Sequence, residues 1–324
     1  MGRACFKAWG RGDQEESGSL PEARLRLLVR AFRTRYWTPG TDFIREVVSA
    51  VKGHARNGDF LLLSEKAICT SLGRLVDEAG IKPSSLSKAL ALWVKWVWGY
   101  VLGPFCHLKP ETLVKLRSYP LNEGARHKQV ALRLAGFLAA LMWGSEGGID
   151  ASNLPFSFVS IPLEPELAAG LAGGIAERIR LELGIDLTVL IIDSDRTYKL
   201  GPFYISPRPT AVRGIVGRLG ALAYVLGNAL GLKSYATPVA SSRPDIKPEL
   251  ALRLASVASR AMGHGAGRDV WEMASRFGVE LTGVSWSMLA SVEHRPIVLI
   301  RFSRPRGRPG RMGRPSPGLP GSPS

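Results

Sequence analysis

The segment Ile191-Ile192-Asp193-Ser194-Asp195 sets two carboxylates two residues apart at the end of a continuous apolar run. A side chain at such a strand exit projects from a rigid support into the crevice where α/β sheets bind ligands. Two ionised carboxylates so spaced repel each other unless a cation lies between them, and hard oxygen donors suit Mg²⁺ or Mn²⁺. The same residues also suit a solvated Asp-Ser-Asp turn in which Asp193 caps the next residues. A second oxygen-rich segment, Glu146-Gly147-Gly148-Ile149-Asp150-Ala151-Ser152-Asn153, has glycines that let backbone approach a ligand closely. Asp150, Ser152 and Asn153 are suited to converge on an ion or a phosphate, or to bond their own turn backbone. Ser64-Glu65-Lys66 comes directly after the apolar run Phe60–Leu63. An ammonium there suits a phosphate or a substrate carboxylate, or a surface salt bridge.

Other patterns carry less. Gly214-x-x-Gly217-x-x-Gly220 and Gly170-x-x-Gly173-Gly174 lack the Gly-Lys-Ser/Thr of a P-loop and follow no clear strand, so close helix packing is expected of them. The five histidines have no His-x-x-x-His spacing, and no Gly-x-Ser-x-Gly elbow occurs. Cys5, Cys69 and Cys106 are too far apart for a cysteine zinc site or a disulfide framework, which fits a reducing cytoplasm.

These segments need elements to hold them, and strands and helices alternate along the chain. Strands are predicted at Leu25–Arg33, Phe60–Leu63, Leu187–Ile192 and Arg295–Phe302. Helices are predicted at Asp42–His54, Arg126–Leu141, Glu164–Leu183 (closed by Gly184) and Ala251–Met262. Residues 86–106 carry Trp93, Trp96, Trp98 and Tyr100 on an apolar background. Lys88 and Lys95 interrupt them before a span of about 20 residues develops, so a core helix rather than a membrane span is expected. The fold class is α+β, a mixed α/β arrangement. Its parts are a leader over residues 1–22, a main domain over 23–302 with a subdivision near residue 145, and a tail over 303–324.

At 324 residues the chain can bury a sizeable core, and charges in the first residues interrupt any signal-peptide core. Six of the arginines behind the net charge of +16 lie in residues 301–324, which hold no acid, and the rest of the chain still carries +10. A basic surface suits nucleotides or weak nucleic-acid contact, the latter through the tail.

Taken in order, four segments resemble the coenzyme F-420 γ-glutamyl ligase family: Pro39-Gly40-Thr41-Asp42, Gly58 to Lys66, Gly148-Ile149-Asp150-Ala151-Ser152-Asn153 and Ile191 to Asp195. The resemblance runs from about Leu25 to Phe302, and Gly-Ile-Asp-x-Ser-Asn is its most specific element. It implies a two-lobed ligase fold forming an intertwined homodimer. It implies GTP as co-substrate, Mg²⁺ or Mn²⁺ beside it, a monovalent cation, and transfer of L-glutamate to a deazaflavin or similar carboxylate acceptor through an acyl phosphate. Asp150 falls on the family's metal-binding aspartate, and Asp193 or Asp195 on its second. Lys66 is then the catalytic cation, with Ser64, Glu65, Gly148, Ser152 and Asn153 around the nucleotide. The chain departs from the family after the second aspartate, where a Gly-Arg pair is usual and Arg196-Thr197-Tyr198-Lys199 stands, and at Thr70 to Arg74, where a glutamate is lost. Those departures, with the basic surface, leave as an alternative a non-catalytic nucleotide- or nucleic-acid-binding protein on the same scaffold.

Overall fold

The computed structural model describes residues 26–303. The expected leader, and the expected tail beyond Ser303, lie outside the described residues. Leu28–Arg301 forms one compact unit, and the outer ends of its first and last strands group apart from it.

Its strands are β1 (Arg26–Thr34), β2 (Phe60–Ser64), β3 (Leu75–Asp77), β4 (Phe158–Ser160), β5 (Thr188–Leu200), β6 (Phe203–Ile205), β7 (Ile215–Val216), β8 (Ser234–Ser241) and β9 (His294–Ser303). The main sheet runs β1-β9-β2-β5-β6-β7, β8 adds to β5, and β3 pairs with β4. β2 and β5 are parallel with Ser64 beside Ile192, whereas β9 and β8 run antiparallel to them. The chain is therefore mixed α+β.

The apolar runs of β2 and β5 are continuous because both faces of the sheet are covered. Leu61, Leu63, Val189 and Ile191 pack with the helices Phe43–Val51, Glu65–Ser71 and Pro165–Leu183. Leu62, Leu190 and Ile192 pack on the other side with Ala251, Leu254 and Ala258 of the helix Pro248–Met262. The sheet centre is thus rigid, and the parallel pair β2 and β5 delivers its carboxyl ends, Ser64 and Ile192, side by side. Asp42 caps its helix through the Arg45 amide at 3.1 Å, and Gly184 closes Pro165–Leu183 in the left-handed conformation at φ +67°.

Four expectations are corrected. β5 does not stop at Ile192 but continues to Leu200, and its register with β8 slips between Asp193 and Arg196. Ser194 and Asp195 are the extra residues of that bulge, so the acidic segment is an irregularity within a strand and not a turn. The helix expected over Arg126–Leu141 begins at Leu121, ends at Leu134 and resumes at Phe137, because Gly136 adopts φ +85° between the two parts. Gly170, Gly173 and Gly174 face open space rather than a packed helix, whereas a Cβ on Gly220 would collide with the Leu138 carbonyl. Residues 86–106 are helical, opening at Ser85–Trp93 and widening to a π-helix over Val94–Leu102, but only one face is core. Trp98 and Val94 are buried there while Trp96 and Tyr100 are about half exposed. No helix among the described residues is long and apolar enough to cross a membrane.

Candidate active site

Lys66 is the second residue of the helix Glu65–Ser71, which starts where β2 ends. That start turns its ammonium toward the loop 144–153. Lys66 Nζ donates to Asp150 Oδ2, to Ser152 Oγ at 2.7 Å and to the Ser152 carbonyl at 3.2 Å. Asp150 in turn accepts from the Ser152 amide at 2.7 Å and the Ser152 hydroxyl at 3.1 Å. The pair is partly buried, with side chains 20% and 22% exposed, so it is neither a free surface bridge nor sealed from a ligand.

The second acidic segment is held by a residue that sequence reasoning missed. Arg208 is fully buried and grips Glu65 with both ends of its guanidinium, at 2.5 and 2.7 Å, while also donating to Asp193. Glu65 also accepts from the Leu163 amide at 2.9 Å, so both of its oxygens are engaged inside the protein. Gly148, at φ +101°, packs on that guanidinium; a Cβ there would lie 2.9 Å from Arg208 Cζ. Burial opposes ionisation of Arg208, but Glu65 and Asp193 outweigh it and hold its pKa above the ordinary arginine value. Burial likewise pushes the Glu65 carboxyl up, against the pull of Arg208. Arg208 reaches Asp193 from beyond the β5–β6 hairpin. Pro207-Arg208-Pro209 was the available signal, an arginine fixed between two prolines.

Asp195 is different. Its Oδ2 is buried without a hydrogen-bond partner, and Arg208 Nε is in the same condition. Burial, then the charges of Asp193 and Asp150, push the Asp195 carboxyl well above the usual carboxylate range, with Arg208 and Ser145 opposing. Three carboxylates thus crowd one region. Among the described residues, no group of three or more His, Cys, Asp or Glu side chains is arranged to hold a metal ion.

Ser64, Lys66, Asp150, Ser152, Asn153 and Asp193 line one cavity of about 160 Å³, so six of the nine expected site residues converge. Asp195 faces a larger neighbouring cleft of about 1370 Å³, and Asp150 and Ser152 line both spaces. Glu65 and Gly148 line neither and act on the site through Arg208. Asn153, at φ +57°, turns away from Lys66 and fixes a distant loop, accepting from the Ala266 amide at 2.6 Å and donating to the Gly267 carbonyl at 2.9 Å.

A second missed group supports the loop from behind. Glu146 is buried and accepts from His127 at 2.8 Å and from Lys128, while the other ring nitrogen of His127 meets Glu78 at 2.8 Å. Burial works against the charge on His127, but Glu146 and Glu78 raise its pKa to about 10. Burial also raises Glu146, yet Lys128 and His127 outweigh it and bring its carboxyl down to about 2. Glu146 and Ile149 form a β-bridge, and Asp150 bridges to Ser160 at the end of β4. Asp150 therefore sits between two fixed points.

A mixed sheet whose parallel strand ends, with the loop 144–153, present Lys66, the carboxylates of Asp150 and Asp193 and the hydroxyls of Ser64 and Ser152 to one cavity defines a class suited to charged, oxygen-rich ligands. The profile of the F420-0:gamma-glutamyl ligase family matches residues 31–243. An uncharacterized protein of Methanocaldococcus jannaschii is 31% identical over 288 residues, which cover 85% of this chain and 97% of that protein. The chain belongs to the F420-0:gamma-glutamyl ligase family, and that membership supports a ligase role in coenzyme F-420 biosynthesis.

Proposed function

We propose that the protein is a GTP- and divalent-metal-dependent amide ligase that joins the amine of L-glutamate to a carboxylate of a deazaflavin coenzyme or related acceptor. The linkage is γ-glutamyl where that carboxylate is the side chain of a glutamate already attached. The observation that carries this reading is the convergence of Lys66, Asp150, Ser152 and Asp193, from separate loops, on one cavity within the family-matched region. In the first step the acceptor carboxylate attacks the γ-phosphorus, the bond to the bridging oxygen breaks, and GDP leaves. In the second the glutamate amine, having lost a proton, attacks the acyl phosphate carbonyl and inorganic phosphate leaves. Lys66 is suited to lie against the transferring phosphoryl group, where a fixed ammonium offsets the charge spread over its oxygens. Ser152 and Asp150 hold that ammonium in place.

The donor set suits Mg²⁺ or Mn²⁺. Such ions are held by one or two carboxylates together with substrate phosphates and water, so three protein carboxylates in one group are not required. Asp195, with its buried unpartnered oxygen, and Asp150 are the residues that would hold the ion. When bound, it supplies Lewis-acid neutralisation of phosphate charge. A homodimer, and a cytoplasmic location, belong to the same proposal.

Incubation with GTP, Mn²⁺, L-glutamate and the unglutamylated coenzyme is expected to release GDP and add one glutamyl mass to the coenzyme. Absence of both GDP and product, with protein folded by circular dichroism, would reject the reading. GDP release without product would restrict it to a different acceptor.

A further inference from the structure

The family match ends at residue 243, yet one wall of the small cavity comes from beyond it. That wall is the loop after the helix Pro248–Met262, which reads Gly263-His264-Gly265-Ala266-Gly267-Arg268. Gly263 and Gly265 take φ +76° and +59°, conformations that favour glycine. The loop is not loose. The Asn153 side chain holds Ala266 and Gly267, and Arg276 donates to the Gly265 carbonyl at 3.0 Å. Gly265 fits only because it has no side chain, since a Cβ would come within 2.5 Å of Asn153 Oδ1.

Within this fixed loop the amides of His264 and Gly265 donate to no acceptor among the described residues, and the His264 ring has no hydrogen-bond partner among them. The charges around them are already matched: Arg268 binds Glu272, Arg295 binds Glu293, and Asp150 binds Lys66. The Ser64 hydroxyl, also on the cavity wall, makes no capping bond. The cavity thus combines one committed ammonium with spare donors on Ser64 and on the loop. Successive backbone amides in a turn of this kind form concavities that bind anions. At about 160 Å³ the space is smaller than the roughly 300–1,000 Å³ of whole-ligand pockets and suits a chain of phosphoryl groups rather than a nucleoside.

We propose that the loop Gly263–Arg268 is a phosphate cradle for the polyphosphate of the nucleotide co-substrate, in the same cavity as Lys66. The inference rests on the nucleotide-dependent ligase reading. Phosphate oxygens are also carried by a phosphorylated acceptor, so the test separates the two sources.

Titration calorimetry of the full chain with sodium tripolyphosphate, with a non-hydrolysable GTP analogue and with the unglutamylated coenzyme gives three affinities. Gly265→Ala is expected to weaken tripolyphosphate and the GTP analogue together by tenfold or more and to leave the coenzyme within twofold. His264→Ala, which keeps the loop backbone, is expected to weaken both phosphate ligands by a smaller, shared factor. Gly170→Ala, on a helix surface with open space around it, serves as the control. The cradle is overturned if both loop variants bind tripolyphosphate like wild type, if the coenzyme alone is weakened, or if wild type binds no tripolyphosphate. The ligase reading fails separately, when wild type binds tripolyphosphate but releases no GDP and forms no glutamylated product.

Discussion

Glu65 and Glu146 are both buried carboxylates held by buried cations, yet their surroundings differ. Around Glu146 no side-chain atom of Glu146, His127 or Lys128 is buried without a partner: His127 spans two glutamates, and Lys128 reaches Glu146 and the Met142 carbonyl. Around Glu65 the pairing is incomplete, because Arg208 Nε and Asp195 Oδ2 are buried without partners. A saturated network fixes backbone and asks for nothing more. A cluster with orphaned atoms carries a cost that a ligand can relieve. The first therefore reads as the support of the Asp150 loop, and the second as the face prepared for chemistry.

The contrast between the two clusters is sharpest at Arg208. Arg208→Met leaves Glu65 and Asp193 without their counter-ion, and loss of one partner of a buried pair costs about 3–5 kcal/mol. Urea unfolding is expected to show a loss of that size; a loss below about 1 kcal/mol would mean that the cluster is not ionic when folded.

His127 tests the other cluster through pH. Its folded pKa of about 10 lies above the ordinary 6.5, so its contribution is full below about pH 6.5 and is lost as pH rises through 10. Stability is expected to fall across that window by up to about 1.4 kcal/mol per pH unit, and His127→Gln should flatten the slope. Glu146 behaves in the opposite sense: lowered to about 2 from 4.5, it contributes above pH 4.5 and loses its contribution as pH falls toward 2.

Smaller stability changes are expected where chemistry is placed. Asp195→Asn removes a carboxyl whose charged form is disfavoured by burial and by the neighbouring Asp193 and Asp150, so stability should be unchanged or rise by up to about 1 kcal/mol. Its Mn²⁺-dependent stabilisation by GTP should disappear, which thermal melts with and without the metal would show. Lys66→Ala breaks a partly exposed pair and should cost only about 0–1 kcal/mol. Turnover of the same variant is expected to fall by about 10²–10³, the scale of one lost transition-state donor.

Much of the frame was legible because it depends on local pattern. The runs at 60–63 and 187–192 are apolar at nearly every position, and only a strand covered on both faces needs that. The oxygen-rich loop at 146–153 was visible from its glycines and carboxylates. The Asp193–Asp195 bulge was not, because its register is fixed by β8 some forty residues later. The pairing of Arg208 was not legible for a related reason: although two prolines flank it, its partners lie 143 and 15 residues away, and no local spacing links them. The loop Gly263–Arg268 escaped because its glycines follow a helix rather than a strand, outside the usual phosphate-loop pattern.

Anomalous diffraction from crystals grown with Mn²⁺ and a non-hydrolysable GTP analogue tests the metal-dependent site most directly. The expected result is a peak against Asp195 and Asp150, lost in Asp195→Asn. A bound nucleotide with no such peak, or a peak remote from both aspartates, would contradict it.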